Sequence, residues 1–179
     1  MLPKKRFFRS LFKIILLAAI IVFSNDCGKG IAPLPEQEAG FSGTINFIGT
    51  WPDSVQRTHL VIFKDPLNSI TDFNILNLRY VSLEIPNNTS EYQINSLDSA
   101  FVPQSGHLGV GEYSYVCVAQ SKTPSLSFDR KDWYVVGVYY ANGDTTKPGK
   151  LDIPNNTLVK NINITCDFNH PPPQPPGGN

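Results

Sequence analysis

Three histidines are the first side chains to consider for chemistry, because imidazole titrates near neutral pH and is a common metal ligand. They are His59, His107 and His170. No two of them have the spacing of a metal site, and the His-Glu-x-x-His pattern is missing from the sequence. The sequence also lacks a Gly-x-Ser-x-Gly elbow and a Walker loop. We therefore predict a protein that is not an enzyme and that holds neither a metal nor a cofactor.

Aspartates offer a second kind of metal site, since calcium prefers carboxylate and carbonyl oxygens. Asp129, Asp132 and Asp144 are the candidates. Their spacing does not match an EF-hand, and Arg130 and Lys131 would repel a cation from the first two. The pattern favours charges on solvated loops.

Two cysteines, Cys117 and Cys166, fall on the apolar side of their predicted strands. An exported protein meets oxidising conditions, so a disulfide between them is allowed. It would close a loop of about 50 residues and stabilise the fold by up to about 4 kcal/mol in the chain-entropy account. Free cysteine is also a common core residue. Both alternatives, the bridge and two buried thiols, stay open at this point.

Five aromatic residues could form a ligand-stacking surface for sugar rings: Trp51, Trp133, Tyr134, Tyr139 and Tyr140. Both alternating sets of residues are apolar in 133–140, so one face of that strand could be exposed. The alternative is that these rings pack in the core.

Alternation of apolar and polar residues predicts strands over most of the chain. The clearest case is 161–168, where Ile162, Ile164, Cys166 and Phe168 share one side. Turn residues separate the segments. We predict an all-β fold, an antiparallel Greek-key β-sandwich of about seven strands. The seven segments are 41–47, 59–63, 75–85, 91–95, 112–120, 133–141 and 161–168.

Residues 1–26 begin with a cationic stretch and continue into a short apolar run, 14–23. As a helix, this run would reach roughly 15 Å, about half of a bilayer core of about 30 Å. Such a segment is typical of a secretory signal peptide. With Cys27 directly after it, the segment resembles the signals of bacterial lipoproteins. That resemblance implies lipid attachment at Cys27, a membrane anchor as partner and a place in the cell envelope. Gly28 in place of an aspartate favours the outer membrane.

Composition divides the rest of the chain. Residues 27–40 are rich in Gly, Pro and Glu and predict a flexible, lipid-anchored linker. Residues 41–169 have the length of one domain. Residues 170–179 contain five prolines, which cannot donate to a sheet, and predict a disordered Pro/Gly-rich tail. From Cys27 onward the chain has 10 basic and 14 acidic residues, which excludes binding to the phosphates of a nucleic acid.

Several short motifs resemble prealbumin-like domains, the group that includes carboxypeptidase-regulatory-like modules and transthyretin. The opening strand at 40–45, the Tyr-x-Ile-x-x-Leu stretch at 92–97 and the Gly-x-Tyr stretch at 111–113 carry the likeness. Residues 136–153 resemble the ending of these domains. The resemblance implies a sandwich fold and a non-catalytic module. The hydrolase of this group has a Tyr-Arg-Gly-Ser motif, which this sequence lacks.

Together these patterns predict a lipid-anchored, non-catalytic β-sandwich with a structural or protein-interaction role at the cell envelope. The alternative is a glycan- or peptide-binding lipoprotein of an outer-membrane uptake or secretion system. A hydrolase is the least favoured class.

Overall fold

The computed structural model describes residues 36–98, 100–103 and 108–178. The predicted signal peptide, Cys27, most of the predicted linker and His107 lie outside these residues. Within them no helix is long and apolar enough to cross a membrane. The described residues from Gln37 onward form one compact unit. Its strands are β1 (Gly40–Ile48), β2 (Arg57–Phe63), β3 (Leu78–Ser82), β4 (Glu91–Asn95), β5 (Ala100–Phe101), β6 (Gly111–Tyr113), β7 (Tyr115–Ser121), β8 (Trp133–Val138), β9 (Leu151–Ile153), β10 (Leu158–Val159) and β11 (Ile164–Asp167).

The first sheet is built around β1. One side of β1 pairs with β4 in antiparallel fashion, and its other side pairs in parallel with β10 and then β11. Phe41, Ile45 and Phe47 alternate along β1 and are buried, as the sequence predicts. In β11 the same holds for Ile164 and Cys166. Alternation therefore fixes which face of this sheet is covered.

The second sheet has the strand order β5-β3-β2-β7-β8, with every neighbour antiparallel. All seven residues of β7 are buried. Because β7 is an interior strand of a sheet that is covered on both faces, side chains on both of its sides are buried. A separate ribbon pairs β6 with β9.

Two apolar clusters cover the two faces of this second sheet. The first cluster joins the two sheets and includes Ile45 and Ile164 from one and Ile62 and Val118 from the other. The approach of β8 to β11 requires Gly137, because a Cβ there would lie 2.5 Å from the Cys166 Sγ. The second cluster lies on the opposite face of the five-stranded sheet; its buried members are Val61, Phe63, Leu67, Leu78, Val81, Tyr115, Cys117, Ala119, Trp133, Val135 and Val138.

The all-β prediction is confirmed, and each of the seven predicted segments contains a strand. Two details of the predicted pattern were wrong. The predicted sandwich is antiparallel, but β1 pairs in parallel with β10 and β11. The second error concerns one segment. Segment 112–120 is divided at Ser114 into β6 and β7, so Tyr113 joins the first cluster whereas Tyr115 and Cys117 join the second. A single alternation across the whole segment would have put all three on one face.

The tail differs from its predicted disorder. Gln174 and Pro175 contact the second sheet and the connection that precedes β8, and Pro175 is buried. The Gln174 side chain pairs with the backbone of Val135 in β8, and the Pro175 carbonyl accepts a hydrogen bond from Arg130. Proline removes backbone donors, but a side-chain amide supplies both a donor and an acceptor. The proline content of the tail did not indicate that the Gln174 side chain would form these hydrogen bonds.

Candidate binding pocket

An apolar cavity of about 50 Å³ opens on the outer face of the five-stranded sheet. We call it the outer pocket. Because a water molecule needs roughly 10–15 Å³ by this measure, the space fits about four water-sized groups. Its strand residues come from β2, β3, β7 and β8. They alternate along β2, β7 and β8, and an irregularity in the β2–β3 pairing places Leu78 and Val81 of β3 on the same face. The strand residues are Val61, Phe63, Leu78, Val81, Cys117, Ala119, Trp133 and Val135.

Segments outside the sheet complete the outer pocket. Leu67 and Phe73 come from the connection between β2 and β3, and the connection between β7 and β8 supplies Ser127 and Arg130. The tail adds Pro175. These residues are distant in sequence, so the pocket exists only in the folded chain.

Three exposed apolar side chains border the outer pocket, and we call them the apolar rim. Ile75 is 45% exposed, Leu126 is 38% exposed and Phe128 is 54% exposed, and all three line the pocket. The Phe128 ring also meets that of Phe101, with the centroids 6.1 Å apart. Contiguous exposed apolar groups around a cavity are typical of binding sites.

Among the described residues that line the outer pocket, Arg130 has the one charged side chain, and it is only 6% exposed. Its Nη1 donates to the Trp133 carbonyl at 2.5 Å and its Nη2 to the Pro175 carbonyl at 3.0 Å. The guanidinium carbon lies 5.8 Å from the centre of the Phe73 ring. Its Nε is buried without a hydrogen-bond partner. Arg130 could not be recognised from the sequence, because it lies in the charged run 129–132, a pattern typical of a solvated loop.

His59 lies on the same face of the sheet, next to the outer pocket. Its Nδ1 is 2.9 Å from the Ser82 carbonyl, and its ring meets the Trp133 ring edge-on at 6.0 Å. A carbonyl only accepts, so Nδ1 carries the proton and the neutral ring leaves Nε2 without one. Nε2 is buried without a partner. Burial lowers the pKa of His59, which favours this neutral form.

The five aromatic residues predicted as a stacking surface are not brought together. Trp51 packs on Phe47 and Phe168 with centroid distances of 4.7 and 5.2 Å. Tyr139 packs against the first cluster, whereas Trp133 and Tyr140 belong to the second. Tyr134 is the exposed member, at 40%. The core-packing alternative explains the positions of the other four.

The two candidate disulfide cysteines, Cys117 and Cys166, are both free and buried. Cys117 lies in the second cluster and Cys166 in the first. The two cysteines are both buried but lie on different faces of the second sheet, because apolar residues cover both faces of β7. Burial raises the pKa of Cys117 to about 12 and raises that of Cys166 further, so both remain thiols at neutral pH.

Two of the three acidic residues considered for calcium have separate hydrogen-bond partners, and the third, Asp129, is exposed. Asp132 accepts from Ser127 Oγ at 2.5 Å, and Asp144 accepts from the Thr146 hydroxyl and amide. Among the described residues no three His, Cys, Asp or Glu side chains are placed to hold a metal ion. His170 is exposed and pairs with Asp167 at 3.1 Å.

Comparison with models of protein families, with characterised proteins and with solved structures finds no match for this chain.

Proposed function

We propose that this chain is a lipid-anchored, non-catalytic binding module of the bacterial cell envelope, and that its outer pocket receives an apolar group from a ligand or partner. The observation that carries this proposal is the apolar cavity bordered by the exposed side chains Ile75, Leu126 and Phe128. Burying one such side chain completely stabilises a complex by about 1.5–3 kcal/mol. An apolar group that covers the apolar rim and fills the cavity is stabilised by burial of apolar surface at both places.

The two tryptophans of the chain allow a direct binding experiment. Trp133 lines the outer pocket, whereas Trp51 packs in the first cluster. In a Trp51→Phe protein, Trp133 is the only indole reporter. We expect its fluorescence to change in a saturable manner when octanol is added.

Two further substitutions in that reporter protein test where octanol binds. Ala119→Leu adds volume at the wall of the outer pocket, and Phe128→Ala removes part of the apolar rim; both should weaken binding severalfold. Ile48→Ala is the matched control, because Ile48 is 49% exposed on β1 in the other sheet. Failure of octanol to bind, or equal binding by all variants, would overturn the proposed site.

The finer fold belongs to the same proposal. We propose that the two sheets are the layers of a prealbumin-like, Greek-key sandwich. The cluster shared by both sheets and the close approach at Gly137 support two facing layers. The motifs at 40–45, 92–97 and 111–113 support the family.

The membrane anchor is proposed from the sequence around Cys27. Attached acyl chains would hold the module at the membrane, since each buried CH₂ contributes about 0.8 kcal/mol. Labelled palmitate should enter the wild-type protein in bacterial cells and not a Cys27→Ala variant. Equal labelling of both proteins would exclude lipid attachment at this residue.

A further inference from the structure

We infer that the outer pocket selects an apolar carboxylate, of the kind a medium-chain fatty acid provides, and that Arg130 binds the carboxylate. This inference rests on the proposed function, because it assumes that the outer pocket binds an apolar group. It adds the charge of the ligand and the side chain that recognises it.

The first support is a buried cation for which the described residues supply no anion. The ion pairs among the described residues are Arg57 with Glu84, Lys150 with Glu112 and His170 with Asp167, and none includes Arg130. Burying a charge is costly unless an opposite charge and hydrogen bonds compensate it. A bound carboxylate would supply that compensation.

The titratable groups around the guanidinium do not supply a negative charge. Cys117 and Tyr115 are the two that act on it electrostatically. Burial raises the pKa of both, so they are neutral at pH 7. Asp132 is two residues away in sequence, but it is not among the groups that act electrostatically on Arg130, and no ion pair joins the two side chains among the described residues. Arg130 itself stays protonated, as guanidinium does in proteins.

The second support is the unused hydrogen-bonding capacity of Arg130. Guanidinium has five N–H donors, and two carbonyls accept from this one. Nε is buried and has no partner. The planar fork of Nε and an Nη matches the two oxygens of a carboxylate, which can accept from it in parallel. Arg130 lines the outer pocket and keeps a buried donor that no described residue satisfies, and such a guanidinium can recognise an oxyanion.

The third support is the apolar lining, which sets the rest of the ligand. Asn74 and Ser127 are the only uncharged polar residues among those that line the outer pocket, apart from the Cys117 thiol. A sugar or a short polar anion would leave its own hydroxyls or water-binding groups unpaired there. An aliphatic chain fills the cavity and covers the apolar rim without that cost. The combination of one buried cation and an apolar wall fits an apolar carboxylate.

The experiment compares octanoate with octanol in the Trp51→Phe reporter protein. The two ligands have the same chain length and differ in the head group. We expect octanoate to bind about ten- to a hundredfold more tightly, the usual effect of charged hydrogen bonds. Arg130→Met keeps an unbranched side chain and removes the charge, so it should abolish the preference for octanoate while octanol still binds.

Two other variants define the role of the guanidinium. Arg130→Lys keeps the charge but lacks the planar fork, so we expect an intermediate preference. Arg57→Met is the control, because Arg57 lies outside the outer pocket and pairs with Glu84. Circular dichroism of each variant verifies the fold. If Arg130→Met does not fold, the wild-type comparison and Arg130→Lys still decide the question.

The outcomes separate this inference from the proposed function. Equal binding of octanoate and octanol to the wild type would overturn the selectivity for carboxylate and leave the apolar site intact. A preference that survives in folded Arg130→Met would overturn the role of Arg130. Failure of both ligands to bind would overturn the site itself.

Discussion

The Gln174 side chain pairs with both backbone groups of Val135. Its Nε2 donates to the Val135 carbonyl at 2.7 Å, and its Oε1 accepts from the Val135 amide at 2.8 Å. Val135 lies in β8, the last strand of the five-stranded order in the described part of the chain. The amide therefore occupies hydrogen-bonding positions that a further strand would use. It also fixes Pro175 at the wall of the outer pocket.

Removing this pair should loosen the tail. Gln174→Ala deletes three hydrogen bonds, two with Val135 and one to the Pro172 carbonyl. Each contributes about 0.5–1.5 kcal/mol, so we expect the free energy of unfolding to fall by about 1.5–4.5 kcal/mol. The Val135 amide should also exchange with solvent faster. Urea unfolding and hydrogen exchange measure these effects. Gln56→Ala, at an exposed glutamine, is the matched control. Unchanged protection of Val135 would show that the tail does not hold β8.

Acid should destabilise the protein through His59. Its pKa is lowered in the folded state, so the unfolded chain, with an ordinary histidine pKa of about 6.5, takes up the proton first as the pH falls. The contribution of His59 is therefore complete above pH 6.5 and is lost as the pH falls through the lower folded pKa. Glu84 opposes the shift and Arg57 supports it. Thermal unfolding at pH 7.5 and 5.5 should show a smaller drop in Tm for His59→Gln than for wild type. An identical drop would contradict this role.

The two core cysteines should behave as protected thiols. Without reductant, iodoacetamide should alkylate both Cys117 and Cys166 once the protein is denatured, because neither is in a disulfide. In the native protein at pH 8 the reaction should be slow, since a pKa of about 12 leaves Cys117 almost entirely as thiol. Peptide mass analysis measures both. A peptide pair joined through Cys117 and Cys166 would contradict the separation of the two clusters.

Alternation of apolar and polar residues predicted the strands, because a strand with one buried and one exposed face shows that alternation in its own sequence. Ile45 in β1 and Ile164 in β11 follow that rule and lie in register. The same rule could not place Cys117, because its strand is buried on both faces. Nor could it reveal which strands are neighbours, which depends on pairing between distant segments.

The outer pocket was beyond sequence reasoning for a related reason. Phe73, Arg130 and Pro175 come from two connections and the tail, and each reads locally as loop or linker. Arg130 stands beside Lys131 in a charged run, yet only Arg130 is buried. What buries it is the approach of the tail and Phe73, and no local pattern encodes that approach. The prediction of a disordered tail was wrong because it considered the backbone donors that proline lacks and not the hydrogen bonds that the Gln174 side chain can form.

Crystals grown with 8-bromooctanoate test the central claim most directly, because bromine marks the chain by its anomalous scattering. We expect bromine within the outer pocket or against its apolar rim and the carboxylate within hydrogen-bonding distance of Arg130. Bromine bound only elsewhere on the protein, or no bound ligand at saturating concentration, would contradict the assignment of this cavity as the binding site.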